Sequence, residues 1–392
     1  MPTSDLLFIH PLLGSDDAWS GYRVEFAPGE VNCGILSSLR AFPTFEQFDH
    51  RHPWLIPAIP GLKSSNQPDD RTVLVFSAPT TVAETESLKQ FEAGLRQARH
   101  KLAFIAPPDG KLPATGTWDY LLITNSRART LPPFTLLGLS SRTILVATDV
   151  HSHADRQWLQ DNACTLTTSE FLAARSNPGA KADTTRIKLL ELLALVTADA
   201  DTGALEAVFR QESKLSYSLL RLVNSAALAP RSPITSFSQA INLLGRRQLQ
   251  RWLQLLVYAD PNNGHHPNPL LQKAAARGQL LELLACQLKS PPEAENLADA
   301  AFMVGSFSLL NVLLNMSMAE ILQQLPLTEI VRSALAEHRG ALGGLLHAID
   351  AAEARDLKTA AQRLSELDVD GKDYLEAQLK ALSWAAKIRP AI

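Results

Sequence analysis

The chain has 392 residues, 46% hydrophobic and 20% charged, with 37 Lys+Arg against 40 Asp+Glu. That mix excludes a disordered chain and gives no basic footprint for nucleic acid, and the length predicts two domains with cores of their own. Three scattered cysteines, Cys33, Cys164 and Cys286, form no CxxC pair, and MPTSDLLFIHPLLGSDD has no basic n-region, so a cytoplasmic chain without a secretory signal is expected.

In chain order, short apolar runs predict strands at LLFIHP (6–11), YRVEF (22–26), TVLVFS (72–77), KLAFIA (101–106), YLLITN (120–125) and TILVAT (143–148). Amphipathic helices are expected at 82–99 and 152–162, with Pro/Gly-rich loops between. Strand–helix–strand order implies parallel strands in an α/β layer or barrel. The breaker Asn177-Pro178-Gly179 then divides the chain into an α/β domain (1–176), a linker (177–183) and an all-helical domain (184–392).

The second half reads as helix after helix: RIKLLELLALVTA, TGALEAVFRQE and KLSYSLLRLVNSAA. A helix opened by a Ser236/Gln239 capping box and ended by Gly245 follows, and another covers Arg246–Tyr258. Residues 300–319, AAFMVGSFSLLNVLLNMSMA, carry no charge and have the length of a membrane span. Helical spacing puts Ser308, Asn311 and Asn315 on one face, so a helix buried among others is expected and no membrane span.

RLVNSAALAPRSPITSFSQAINLLGRRQLQRWL (221–253), with Asn224-Ser225-Ala226 closing one helix and I-x-S-x-x-x-A-I-x-L-L-G after the turn, resembles the signature of HDOD domains. These are helical relatives of the HD phosphohydrolases without the metal ligands. Where HD enzymes have G-x-x-H-D, this chain has Gly305-Ser306-Phe307-Ser308-Leu309, so the resemblance implies that Ser308 and Leu309 stand at emptied metal positions. Glu212-Ser213 departs from the Asp-Pro of many members.

An HDOD domain makes an EAL domain ahead of it worth testing; EAL domains are (β/α) barrels that hydrolyse cyclic di-GMP with two metal ions. Gly21-Tyr22-Arg23-Val24-Glu25 resembles the family's G-Y-E-A-L strand, with Arg23 at the position of a metal-binding glutamate. By the same resemblance Val75 replaces the carboxylate of V-L-E, and Ile105 and Ala106 replace both aspartates of A-L-D-D. Leu122 and Thr124 replace the lysine and second aspartate of D-x-I-K-x-D, and Cys164–Thr168 falls where a glutamine-glycine turn closes the site. The segment is shorter than the ~200–250 residues of a closed barrel, so a degenerate TIM-barrel-like domain with room for incomplete closure is expected.

Other polar groups read as ordinary surface. His265-His266, Asp16-Asp17 and Asp69-Asp70 lie in loops without a third ligand or a base, and His151, His153, Asp149 and Asp155 lack a fourth zinc donor. Arg246, Arg247 and Arg251 give one helix a basic face, read as a solvated or protein-facing surface rather than DNA-reading because Ile241 replaces the small residue of a helix-turn-helix and the surroundings are not basic. Asn224 reads as a cap in preference to an interaction residue. The replacements together predict a chain that is not an enzyme and takes no cofactor: a regulatory signalling protein acting by protein–protein contact. A cyclic di-GMP sensor or a residual phosphodiesterase is the alternative, and whether a nucleotide second messenger binds stays open.

Overall fold

The computed structural model describes residues 6–28, 34, 39, 41–59, 71–78, 82–174, 191, 193–195, 197–198, 201, 203–206, 213–225, 228, 230–259, 268–294 and 296–388. The linker 177–183, His265-His266, Asp69-Asp70 and the predicted helix at 186–198, for the most part, lie outside these residues. Two compact units are formed, residues 2–174 and 175–392.

The first unit is a closed eight-stranded barrel: β1 (Leu7–Leu13), β2 (Trp19–Phe26), β3 (Trp54–Pro57), β4 (Thr72–Phe76), β5 (Lys101–Ile105), β6 (Tyr120–Thr124), β7 (Ile144–Thr148) and β8 (Leu166–Thr167). β1 runs antiparallel to both β2 and β8, and every other pair is parallel. Closure therefore does not fail on length. The saving lies in the connections: β1 turns straight into β2 through Gly14–Ala18, and no helix lies between β5 and β6. Outside the barrel run α1 (Val82–Gln97), α2 (Asn125–Arg129), α3 (Thr135–Ser140) and α4 (His153–Asp161). Arg156 of α4, buried, donates to the Gly14 carbonyl at 2.5 Å and pairs with Asp17 at 2.8 Å, which fixes the β1–β2 turn.

Two strands escape the sequence pattern. β3 is only WLIP, bracketed by Pro53 and Pro57. Trp54 lies on the outer face, stacked on Tyr22 at 4.7 Å and edge-on to Phe48 at 5.1 Å, while Leu55 fills the interior. β8 lies within the segment read as a site-closing turn; its Thr167 pairs with Leu13 and with Ala147 and completes the ring.

The second unit contains α5 (Ser213–Val223), α6 (Phe237–Leu256), α7 (Pro269–Ala285), α8 (Leu297–Phe307), α9 (Leu310–Leu314), α10 (Met318–Gln324), α11 (Glu329–Glu337), α12 (Gly340–Glu353), α13 (Leu357–Glu366) and α14 (Gly371–Ala386). Ser236 caps α6 by accepting from Gln239 N at 3.1 Å, but the Gln239 side chain reaches Thr235 N at 2.9 Å rather than Ser236 N, so the capping box is half made. Gly245 keeps φ 72°, a left-handed value open to glycine, and breaks the helical path as expected.

The apolar stretch Leu297–Leu314 is long enough to cross a membrane by length and composition, but half of it is buried inside the protein. It is not one helix: a turn at Ser308–Leu309 separates α8 from α9, and Asn315 ends α9 with φ 54°. The predicted Ser308/Asn311/Asn315 face is therefore not a helix face. α7 and α8 approach closely at glycines, where a Cβ on Gly305 would overlap the backbone of Arg277 and Gly278.

Candidate functional site

Strand alternation decides which side chains face into the barrel. Leu12, Leu55, Val73, Val75, Ala103, Tyr120, Leu122, Val146 and Leu166 form one interior cluster, with Ile105 packed against it. Val75, Ile105 and Leu122 are thus apolar packing inside the barrel, on β4, β5 and β6. Ala106 is buried and its N–H donates to the Leu122 carbonyl at 2.8 Å, which extends the β5–β6 ladder. Thr124 caps α2, its hydroxyl accepting from Arg127 N at 3.2 Å.

Arg23 also points inward, register-paired with His10 and with Leu55. Its guanidinium pairs with Glu25 at 2.7 Å, and the other carboxylate oxygen of Glu25 lies 3.5 Å from His10 Nε2. Burial pushes the Arg23 pKa below its ordinary value, opposed by the negative charges of Glu170 and Asp149. The mouth therefore holds an internal Arg–Glu–His group with two more carboxylates in electrostatic reach. Sequence reasoning missed Glu25, His10 and Glu170 as members; the signal was available in the alternation that puts Glu25 two residues from Arg23 on one face.

The donor set does not fit a metal ion: no group of three or more His, Cys, Asp or Glu able to hold one occurs among the described residues. His153 packs edge-on to Phe171 at 5.0 Å, and Asp155 bonds Ser152 at 2.7 Å and Arg129 at 2.6 Å, so these side chains have structural work. Asp16 accepts from Ala18 N at 3.1 Å within the β1–β2 turn, and Asp17 is the partner of Arg156.

In the helical unit the positions Ser308 and Leu309 lie at the turn after α8. Leu309 is buried, and Ser308 Oγ donates to the Gly305 carbonyl at 2.7 Å while accepting from Arg277 Nη1 at 2.8 Å. Arg277 is buried on α7 and also holds Glu353 at 2.6 Å and Asp350 at 2.9 Å. Lys273, one turn earlier, reaches Glu353 at 2.8 Å. Arg277 thus occupies the space beside Ser308, and the two cations of α7 are matched by two carboxylates of α12. Nothing local in the sequence brings residues 273, 277, 308, 350 and 353 together.

Asn224 clamps its own loop: Nδ2 donates to the Leu220 and Ile234 carbonyls, both at 2.7 Å, and Oδ1 accepts from Ile234 N at 2.8 Å. Ser225 is buried. Arg251, proposed as an interaction residue, is turned inward; it pairs with Glu282 at 2.5 Å and Asp299 at 2.9 Å. Arg247 bonds Asp299 at 2.9 Å and Asn296 at 3.0 Å while remaining more than half exposed, and the Arg246 side chain lies outside the described residues. The basic face is therefore largely consumed by carboxylates of α7 and α8.

Comparison with known proteins places these observations. The HDOD domain family matches residues 185–290. The cyclic di-GMP phosphodiesterase CdgJ of Vibrio cholerae serotype O1 is 32% identical over 194 residues, 50% of this chain and 44% of that protein. The uncharacterized protein YuxH of Bacillus subtilis is 30% identical over 183 residues, 46% of this chain and 43% of that protein. The chain thus aligns with less than half the length of these curated relatives. Among solved structures, the PaMucR phosphodiesterase–c-di-GMP complex gives a TM-score of 0.33 at 11% identity, covering 44% of this chain and 92% of that one. The Bacillus subtilis YkuI protein gives 0.32 at 14% identity, covering 62% and 73%. At these scores the two likenesses carry no inference about this chain.

The relation to CdgJ corrects the expectation that the chain is not an enzyme. That expectation rested on four short strands, a loop turn and one helix turn, and it did not place Glu25, Asp149 and Glu170, carboxylates that stand around Arg23, beside it. Residues 185–290 match the HDOD domain family, they follow a closed eight-stranded barrel, and half of the chain is similar to a cyclic di-GMP phosphodiesterase.

Proposed function

We propose that the chain is a cytoplasmic signal-transduction protein of the cyclic di-GMP network that regulates its targets by protein–protein contact through the helical unit. The observation that carries this reading is a pair of exposed apolar side chains on adjacent helices. Tyr217 on α5 is 53% exposed and Leu243 on α6 is 57% exposed, both inside the HDOD match. The guanidinium of Arg221 lies 5.5 Å from the Tyr217 ring. Tyrosine and arginine are enriched among the residues that anchor interfaces. The test is co-purification and cross-linking of the full chain in its host against a Tyr217→Ala/Leu243→Asp variant. Loss of a reproducible signalling partner, with the melting temperature unchanged, is expected; an identical partner set overturns the reading.

A second reading is favoured by the 32% identity to a named cyclic di-GMP phosphodiesterase. In it the barrel mouth binds or turns over cyclic di-GMP, with Arg23 meeting a phosphate. Among the described residues the donor set does not fit a metal ion. Calorimetry with cyclic di-GMP, and chromatography of the products with Mg²⁺ or Mn²⁺ present, decide it: Arg23→Ala must weaken binding. A silent titration together with no product removes this reading and leaves the first standing.

A further inference from the structure

The helical unit has a partly open pocket of about 180 Å³ between α6, α7, α8 and α14, which neither proposed function uses. By liquid volume that is room for about six waters, the size of one fused ring rather than of a dinucleotide. Three of its walls are aromatic: Trp252, Phe302 and Trp384, with Trp384 centred 5.8 Å from Trp252 and 6.2 Å from Phe302. Its polar lining is Gln248, Gln279 and Arg251.

The charge on Arg251 is already matched inside the protein by Glu282 and Asp299. A phosphate placed there would face two carboxylates at ion-pair distance from the same guanidinium, so an anion is disfavoured. A hydrogen-bonding capacity nevertheless remains, because Arg251 Nε is buried with no hydrogen-bond partner. An orphaned buried donor costs about 1–3 kcal/mol, and a ligand acceptor would recover it. The amides of Gln248 and Gln279 add paired donor and acceptor groups.

We propose that this cavity is a binding site for a neutral planar heteroaromatic ring of the nucleobase class, stacked on the tryptophan faces and accepting from Arg251 Nε. Stacking on aromatic side chains and edge recognition by amides are the interactions that hold an unpaired base. A free base, a nucleoside and the base of a cyclic dinucleotide share that chemistry.

Full-length protein is titrated calorimetrically with adenosine, guanosine, cytidine, cyclic di-GMP and inorganic phosphate. At least one nucleoside is expected to bind at one per chain, with phosphate silent. Leu228→Trp, which fills the cavity, is expected to weaken that nucleoside tenfold or more, and Arg251→Lys, which removes the Nε donor, about tenfold. Gln248 is exposed, so Gln248→Ala keeps the fold and must weaken the same ligand several-fold even if a core variant fails to fold. No heat with any nucleoside, binding of phosphate in their place, or a nucleoside or cyclic di-GMP affinity unmoved by both Leu228→Trp and Gln248→Ala overturns the proposal.

Discussion

Replacing Arg277 by methionine tests whether the charge network of the helical unit is its structural frame. Methionine keeps most of the volume but leaves Glu353 and Asp350 without their main partner. Removing one member of a buried ion pair costs about 3–5 kcal/mol, most of it the uncompensated charge left behind. Arg277 is 5% exposed in its side chain, whereas Glu353 keeps 25% and Asp350 35%. Water relieves part of the cost at the acidic end, so the lower figure, about 3 kcal/mol, is expected. For a unit of this size that lowers the melting temperature by about 6–12 °C. Circular dichroism melts of the full chain measure it. A double-mutant cycle with Glu353→Leu, expected to recover part of the loss, separates the pair from the packing. A melting point within about 2 °C of wild type refutes the argument that these charges hold α7 to α12.

The same network sets an acid limit. Burial pushes the Glu353 carboxyl up, but Arg277 and Lys273 pull it net below its ordinary value; for Asp350, Arg277 and His338 win likewise against burial. Stability from depressed carboxylates is fully present above the unfolded pKa values, about 4, and is lost as pH falls through the folded ones, so denaturant midpoints should drop on that acid side and drop less in Arg277→Met. Gly305→Ala forces a methyl group into the Arg277 backbone and should destabilise by about 1–3 kcal/mol, whereas Gly94→Ala, on an exposed turn of α1 with nothing within 4 Å, should stabilise by about 0.5–1 kcal/mol; urea midpoints of the pair give the contrast. Asn224→Ala removes three loop bonds and should cost about 2 kcal/mol, seen as faster hydrogen exchange across 225–234. Burial pushes the Cys164 thiol up to about 12, so in a Cys33→Ser background a thiol reagent at pH 8 should modify Cys286 and spare Cys164 until the protein unfolds.

The sequence made the longer elements legible because their periodicity is local. β4 to β7 fall within a residue or two of the apolar runs that predict them. β3 was hidden since four residues between prolines carry no alternation, and β8 since two residues carry no pattern at all. The charge-free stretch 300–319 reads as one helix, yet Ser308 is drawn into bonds with Gly305 and Arg277, and Asn315 adopts a left-handed conformation that asparagine tolerates. At the barrel mouth, residue-by-residue matching located Arg23 but not its surroundings, because Glu170 and Asp149 approach it only after the barrel closes. The basic helix face was visible, while the acids that consume it sit on two other helices.

Ring closure at Leu13 and Thr167 gives the barrel an all-or-none character during synthesis. Until residue 167 has left the ribosome, β1 and β7 each present an unpaired hydrogen-bonding edge, the kind that recruits strands from other chains. A nascent polypeptide halted upstream of β8 should therefore aggregate or be captured by chaperones, even though nearly every interior side chain has already been made.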